Sequence, residues 1–188
     1  MLGEIGMLNR SSKKKGYTLV EVLVVVSIMG VLSTMGVASL RGAVINSRIK
    51  DHAMNTAAFL ERMANEANRM SRSLCVAYDN DQRITAYMSS DCDNGNLTDD
   101  SEFATFEIEP PAKFGCDAQI SLVDYGPDWI QNGALFVPRI GLSAAPSEGH
   151  ICMQYGSSDA YGLVYKQKHN NMMIPMWRTS SALSWTKL

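Results

Sequence analysis

The chain has 188 residues, of which 46% are hydrophobic and 19% charged, and its formal net charge is −2. This composition excludes a disordered or fibrous chain, and the length allows one ordinary domain with an appendage. The charge is unevenly distributed, because residues 74–188 hold seven basic and fourteen acidic residues. Such an acidic portion would repel a phosphate backbone, so nucleic acid is disfavoured as a ligand.

The first 40 residues combine a basic start with an apolar run. Basic residues outnumber acidic ones before residue 17, with Arg10, Lys13, Lys14 and Lys15 against Glu4. Residues 22–40 contain no charged side chain, and a helix of that length can cross a hydrocarbon layer of about 30 Å. The basic bias predicts a cytoplasmic N-terminus and an extracytoplasmic C-terminal domain.

Two other interpretations of this run stay open. One is a conventional secretory signal cleaved after the small residues Gly36-Val37-Ala38, and the other is an uncleaved single-span anchor. The run exceeds the usual signal core of about 7 to 15 residues, and an acid, Glu21, stands near its start. A carboxylate within a bilayer costs about 2.5 to 3.5 kcal/mol, so Glu21 is expected to have a cationic partner.

Cleavage after Gly16 would create such a cation at the new amino group of Tyr17, whose solution pKa would be about 7.7 to 8.0. Tyr17 lies four residues before Glu21, and an ion pair between them within one chain is geometrically awkward. Pairing of Glu21 with the Tyr17 amine of a neighbouring subunit would neutralise both charges and fix the axial register of packed helices. Glu21 is therefore predicted to be an assembly residue.

Residues 13–24, KKKGYTLVEVLV, resemble the class III leader of type IV pilins and pseudopilins. The resemblance implies that a prepilin peptidase cleaves after Gly16, that Tyr17 becomes the N-methylated N-terminus, and that Glu21 guides assembly. It implies a leader over residues 1–16 and a transmembrane helix over 17–40. Tyr17 stands where Phe or Met is commoner, and Ala38 stands where many major pilins have a proline.

After Arg41 the pattern predicts an amphipathic continuation of the helix over residues 41–73, seated on a β-sheet. Its apolar stripe recurs every three or four residues: Ile45, Ile49, Ala53, Thr56, Leu60, Met63, Ala67, Met70 and Leu74. Small residues also recur every fourth position, at Gly30, Thr34, Ala38 and Gly42. Such a ridge allows close approach of a neighbouring helix, although small residues also occur without a packing role.

Residues 74–188 are predicted to form an antiparallel β domain, which makes the fold class α+β, the pilin fold. The predicted strands are 74–78, 83–88, 103–108, 119–123, 134–138, 151–155, 162–166 and 172–177. The segment from Ala134 to Gly141 and the two later strands are similar to the C-terminal half of GspH/FimT-type minor pseudopilins. Aromatic residues within 124–129 are candidates for a partner contact, or else for the core.

The four cysteines, Cys75, Cys92, Cys116 and Cys152, lack the C-x-x-C spacing of a zinc or redox site. They fit one or two disulfides in an oxidising compartment, with buried free thiols as the alternative. Sequence does not choose among the three connectivities of two disulfides.

An acidic loop over residues 91–102 spaces its oxygens as a calcium loop would. Its candidate ligands are Asp91, Asp93, Asp99 and Glu102, but the glycine is one position early. A solvated turn between strands explains the same acids and is favoured, so no cofactor is expected, with calcium as the alternative.

No Walker loop, H-E-x-x-H or G-x-S-x-G motif occurs, and the three histidines show no readable relation to the cysteines or carboxylates, so an enzyme is disfavoured.

The resemblance implies a minor pseudopilin or minor pilin of a type II secretion pseudopilus or type IV pilus. Its partners would be other pilins or pseudopilins, prepilin peptidase, the inner-membrane assembly platform and a secreted substrate. The chain would reside in the inner membrane with a periplasmic domain. The alternatives are an anchored tip adhesin or substrate-binding module of the same filament, and an unrelated membrane-anchored extracytoplasmic protein, an enzyme included.

Overall fold

The computed structural model describes residues 16–92, 97, 101–117, 120–139, 144–145, 148–168, 172–179 and 184–188. The predicted leader, apart from Gly16, lies outside these residues. The first element is a helix of 52 residues, α1 (Leu19–Met70). The chain divides into two compact units after Arg41, so α1 contributes residues to both units.

In the second unit, the predicted apolar stripe of α1 is confirmed. Six of its residues are completely buried: Ile49, Ala53, Thr56, Leu60, Met63 and Ala67. The helix ends at Met70, three residues before the predicted boundary. Ser71 adopts a left-handed conformation with φ 53°, its N–H donates to the Asn68 carbonyl, and the Arg72 N–H donates to the Ala67 carbonyl. These two bonds form a Schellman motif, which terminates the helix and satisfies its last carbonyls.

The described strands form two antiparallel sheets of five strands each, and the predicted α+β class is confirmed. Sheet A has the order β3-β2-β1-β5-β6 and sheet B the order β10-β9-β8-β7-β4. The strand bounds are β1 (Leu74–Asn80), β2 (Arg83–Met88), β3 (Ser101–Glu107), β4 (Ala112–Phe114), β5 (Ala134–Phe136), β6 (Ala144–Ala145), β7 (Gly149–Tyr155), β8 (Tyr161–Lys166), β9 (Ile174–Arg178) and β10 (Thr186–Lys187).

Several sequence predictions are wrong in detail. No described residue of the predicted strand 119–123 is in a strand, and a 3₁₀ turn at Val123–Tyr125 occupies its end. The short helix α2 (Trp129–Asn132) was not predicted, and the Asp128 side chain caps it by accepting from the Ile130 N–H. For Trp129, which was expected either in a partner contact or in the core, the structure shows the core position, with 1% of the residue exposed.

The buried stripe of α1 packs against the inner faces of both sheets in one apolar core. Leu74 and Val76 of β1 represent sheet A in this core, and Ile151 and Met153 of β7 represent sheet B. Side chains alternate between the faces of a strand, so Cys75 and Cys152 point to the outer faces. Two smaller apolar clusters lie there, one on each sheet.

Gly162 lets β8 approach α1 closely. A Cβ at this position would lie 2.8 Å from Cγ of Met153 and 3.3 Å from Cβ of Ala53. The ammonium of Lys50 on α1 lies 3.8 Å from the ring centroid of Trp177 on β9, a cation–π contact in the same unit. The small residue Gly162 therefore allows α1 and sheet B to pack closely, and the cation–π pair adds a contact between them.

We expect Gly162→Val to reduce the free energy of unfolding by about 1 to 3 kcal/mol, because the added carbons overfill the space beside Met153 and Ala53. The measurement is urea unfolding of the full chain in mild detergent, followed by tryptophan fluorescence, since the three tryptophans all lie in the second unit. Thr105→Val on the exposed edge strand β3 is the control. Equal stability of the two variants would contradict the close approach.

Candidate functional site

The predicted cleavage junction lies in a non-helical segment before α1. Gly16, Tyr17 and Thr18 are exposed and outside any helix or strand. Tyr17 is 82% exposed, and no atom lies within 4 Å of a Cβ built on Gly16. The junction is therefore open to an enzyme that must take the backbone into its own active site.

Thr18 caps the start of α1. Its Oγ1 accepts a hydrogen bond from the Glu21 backbone N–H at 3.2 Å, and its carbonyl accepts from the Val22 N–H at 3.2 Å. The order Thr-x-x-Glu at residues 18–21 is the sequence signature of a capping box. Sequence analysis missed this role of Thr18, although the signature was readable.

The helix surface of the first unit is apolar and uncovered. Leu19 and Val20 are 80% and 68% exposed, and the large apolar side chains from Val22 to Leu32 are exposed as well. This is the one described helix long and apolar enough to cross a membrane. Such a surface is stable only against lipid or another apolar surface.

Three hydroxyl groups on this helix, those of Ser27, Ser33 and Thr34, are satisfied internally. Ser27 donates to the Leu23 carbonyl at 2.8 Å, and Ser33 donates to the Met29 carbonyl at 2.7 Å. Thr34 likewise donates to a carbonyl one turn earlier. Because the bonds close within the helix, these hydroxyls can enter an apolar environment without losing a partner.

The Glu21 carboxylate is different, because it has no hydrogen bond or ion pair among the residues that the structure describes. It lies in the first turn of α1, where the positive end of the helix dipole favours an acid. The cation predicted to pair with Glu21 belongs to a neighbouring chain, so the structure of a single chain does not test this pairing. The role of Glu21 in assembly stays a prediction.

The predicted ridge of small residues lies within α1, so its members share a helix as expected. Gly30 and Gly42 have no atom within 4 Å of a built Cβ, and Thr34 is exposed. Ala38 is placed as a helical residue. Use of the ridge in helix packing stays a prediction.

The four cysteines form two disulfides. Cys75 is joined to Cys92, with a Cα–Cα distance of 5.4 Å, and Cys116 is joined to Cys152, with a Cα–Cα distance of 5.6 Å. Each bond links an outer-face position of a central strand to a segment outside that strand. Cys92 and Leu97 thereby cover the outer face of sheet A.

The outer face of sheet B is covered in the same way by Cys116, Leu122, Tyr125 and Trp185. Tyr125 packs edge-on against Tyr165 of β8, with ring centroids 4.9 Å apart. The disulfide between Cys116 and Cys152 therefore lies within an apolar cluster that closes this face.

The predicted calcium ligands are only partly placed. Asp93 and Asp99 lie outside the described residues, while Asp91 precedes the disulfide-bonded Cys92 and Glu102 lies on β3. Within the described part of the chain, no three acidic, histidine or cysteine side chains are grouped to hold a metal ion. Calcium binding stays a prediction.

A charged groove that sequence analysis did not identify lies in the second unit, between α1 and the end of β3. We call it the acidic groove. It has a volume of about 550 Å³ and is lined by Val44, Ser47, Arg48, Asp51, His52, Asn55, Phe106, Glu107 and Glu109. Three carboxylates face one guanidinium, so its formal charge at neutral pH is negative.

Two of these carboxylates already have partners. Arg48 donates to Glu109 at 3.2 Å, with both side chains largely exposed, and Glu107 lies 3.9 Å from Arg83. Asp51 is exposed and has no hydrogen bond or ion pair among the described residues. Asp51 is therefore the carboxylate in this groove that remains available.

His52 stays neutral in the acidic groove at neutral pH. Burial lowers the pKa of its imidazole, the Arg48 guanidinium acts in the same direction, and Glu109 and Asp51 oppose them. The imidazole therefore does not offset the negative charge of the groove at pH 7.

Comparison with known proteins gives a match to the N-terminal region. A family model described as the prokaryotic N-terminal methylation motif matches residues 11–37. No curated protein and no solved structure matches the chain. The matched residues include Gly16, Tyr17 and Glu21, and they end before the second unit.

The motif indicates a type IV pilin-like protein, a substrate of prepilin peptidase that assembles with other pilins. Proteins with this motif form a family of structural subunits. The exposed apolar helix α1, which begins within the matched residues at Leu19, is consistent with anchoring in a membrane.

We expect removal of either disulfide to lower the stability of the second unit. The bonds span 17 and 36 residues, for which loop-closure entropy gives about 3 and about 4 kcal/mol. The variants are Cys75→Ala with Cys92→Ala, and Cys116→Ala with Cys152→Ala, compared by urea unfolding of the full chain in detergent. Unchanged midpoints in both pairs would show that the bonds do not stabilise the domain.

Proposed function

We propose that this chain is a structural subunit, a minor pseudopilin or minor pilin, of a type II secretion pseudopilus or a type IV pilus. The observation that carries the proposal is the Glu21 carboxylate, which is unpaired within the described residues at the start of an uncovered apolar helix. An isolated chain leaves both the charge and the apolar surface unmatched. Packing of α1 among the helices of other subunits would satisfy both.

The resemblance of residues 13–24 to the class III leader implies the order of events. The precursor sits in the inner membrane with its basic leader in the cytoplasm and its second unit in the periplasm. The peptidase removes residues 1–16, and the amine of Tyr17 is methylated. The assembly platform then inserts the helix beside its neighbours, where Glu21 meets the amine of an adjacent Tyr17.

The two disulfides support this location. Both join cysteines of the second unit, and disulfides persist in oxidising compartments such as the periplasm. The two-sheet domain with a helical spine also fits the proposal of a GspH/FimT-type subunit, whose C-terminal half the sequence resembles. The second unit would then form the outer surface of the filament.

Mass spectrometry of the purified chain should show an N-terminus at N-methylated Tyr17. Gly16→Val should accumulate as the uncleaved precursor, because the peptidase requires the glycine. Ser27→Ala, which removes only a hydroxyl bonded within the helix, should be processed normally. An N-terminus at Ser39 would instead show a conventional secretory signal, and a persistent Met1 would show an uncleaved anchor.

Replacement of Glu21 should prevent incorporation into filaments while leaving processing and membrane insertion intact. Glu21→Ala and Glu21→Gln should both fail, since the proposed partner recognises the negative charge. Thr18→Val is the matched control, because it removes the cap hydrogen bond, worth about 1 kcal/mol, and keeps the carboxylate. Incorporation is measured by immunoblotting sheared filaments, and normal incorporation of Glu21→Gln would contradict the charge role.

A further inference from the structure

Strand β3 forms a long free edge of sheet A. It has seven residues, whereas the other described sheet edges have three residues in β4 and two each in β6 and β10. On one side β3 pairs with β2, and on the other side it pairs with no described strand. Short edge strands are one way in which proteins prevent pairing with other chains, and β3 lacks this protection.

The direction of the free backbone groups follows from the pairing of β2 with β3. The Ile108 N–H donates to the Gln82 carbonyl at 2.9 Å, so the backbone groups of Ile108 point toward β2. The register is regular from Ala104 to Glu107, and backbone groups alternate along an antiparallel strand. Those of Thr105 and Glu107 therefore point away from β2, and no other described backbone group bonds to them. Two N–H donors and two carbonyl acceptors lie at this edge.

The described segments around β3 lie against the faces of the sheet and leave this edge open. Leu97, in the connection from β2 to β3, packs into the apolar cluster on the outer face of sheet A. On the inner face, the ring of Phe106 stacks on Phe59 of α1, with centroids 5.3 Å apart. Thr105 and Glu107 are exposed. An added strand would thus meet no described part of the chain in the plane of the sheet.

We propose that the free edge of β3 binds an extended segment of another protein as an additional strand, and that basic and apolar side chains alternate along this segment. In such strand addition, main-chain hydrogen bonds supply the affinity and alternate side chains supply the specificity. The inference goes beyond the proposed function and does not depend on it, because it uses only residues of the second unit.

The two faces of β3 determine the alternation. On the inner face, Phe106 offers an apolar neighbour to a residue beside it. On the outer face, Arg83 is engaged by Asp79 at 2.7 Å and reaches Glu107 only at 3.9 Å, so the Glu107 side chain remains 68% exposed. Opposite charges on directly opposed residues of two strands stabilise their pairing. The added strand would therefore place an apolar side chain beside Phe106 and a basic one beside Glu107.

The same acids disfavour a second copy of this chain at this edge. If β3 of a second copy paired with β3, it would bring a further Glu102 and Glu107 to an edge that already exposes both. Like charges across a strand pair are destabilising. The edge therefore combines repulsion of its own copies with attraction for a basic strand, and specific interfaces use both elements.

The test uses a short labelled peptide of alternating lysine and valine, titrated onto the full chain in mild detergent and followed by fluorescence anisotropy. We expect saturable binding. Thr105→Pro should weaken binding roughly tenfold, as loss of one or two hydrogen bonds would, because it removes an N–H at the free edge. Thr105→Val keeps this N–H and is the matched control. Absence of binding, or equal binding by the two variants, would overturn the proposal.

A modified peptide makes the same test on the unaltered chain, in case Thr105→Pro changes the fold. Methylation of alternate peptide nitrogens keeps the lysine charges but removes the donors that would pair with β3. This peptide should bind roughly tenfold more weakly than the unmethylated one. Equal affinity would show that charge alone attracts the peptide, and the added strand would be refuted. Urea unfolding of the Thr105 variants checks their fold.

Reversal of charge tests the chemistry of the partner. Glu107→Lys should weaken binding of the lysine peptide roughly tenfold and should allow a peptide of alternating glutamate and valine to bind. Asp124→Lys makes the same change of charge at an exposed residue outside the strands, and it should leave both affinities unchanged. If Glu107→Lys behaves like Asp124→Lys, the edge does not select a basic partner.

Amide hydrogen exchange, followed by nuclear magnetic resonance, locates the new hydrogen bonds. Saturation with the lysine peptide should slow exchange at Thr105 and Glu107 roughly tenfold or more. Exchange at Ala104 and Phe106, whose N–H groups point toward β2, should not change. Unchanged exchange at Thr105 and Glu107 would overturn the added strand. Slowing that appears without peptide as the protein concentration rises would show self-pairing and would overturn the choice of partner.

Discussion

Burial of one face of α1 against both β-sheets is the constraint on which the folded part of the chain depends. The residues of this stripe from Ile49 to Ala67 are completely buried, and both sheets contribute to the same core. The other described α-helix in this core, α2, contributes Trp129 and Ile130 but has only four residues, too few to replace α1. The helix therefore fixes which strand faces turn inward, and hence which faces must be covered by something else.

The outer face of each sheet is covered by a chain segment that a disulfide attaches to it. On each sheet a cysteine of a central strand holds a neighbouring segment over the apolar surface, through Cys75 on β1 and Cys152 on β7. Without such segments, Leu163 and Tyr165 of β8 would face water on sheet B. The two disulfides thus complete a domain whose core helix can reach only one side of each sheet.

The sequence predicted the elements whose signals are local. The stripe of α1 follows from its spacing, β2 was predicted with its observed bounds, and most long strands were predicted to within two residues. The division into two sheets was not predicted, because strand order depends on pairing between distant segments. Strands of two or three residues, such as β6 and β10, carry too few residues for a periodic pattern.

In the candidate site, too, only features formed by contiguous residues could be predicted from the sequence. The motif around Gly16 and Glu21 is contiguous, so it could be recognised from sequence alone. The acidic groove brings Asp51 of α1 beside Glu107 and Glu109, which are more than fifty residues away in the chain. The even number of cysteines favoured disulfides. Which cysteine bonds to which depends on the order of the strands in the sheets. Distant residues meet only through the fold, and no local pattern contains that information.

The energies around Glu21 decide between two explanations for this acid. Its position in the first turn gives a local benefit, since a carboxylate near a helix N-terminus gains about 0.3 to 1 kcal/mol from the dipole, and about 2 kcal/mol at most. Entry of the same carboxylate into a bilayer costs about 2.5 to 3.5 kcal/mol. The local benefit therefore leaves a deficit, and no cation among the described residues of the chain removes it. A positive charge from outside the chain can remove it, and in the proposed filament that charge is the amine at Tyr17 of a neighbouring subunit. Capping explains why an acid is tolerated at the start of α1, whereas the partner subunit that we propose would explain why it is useful there.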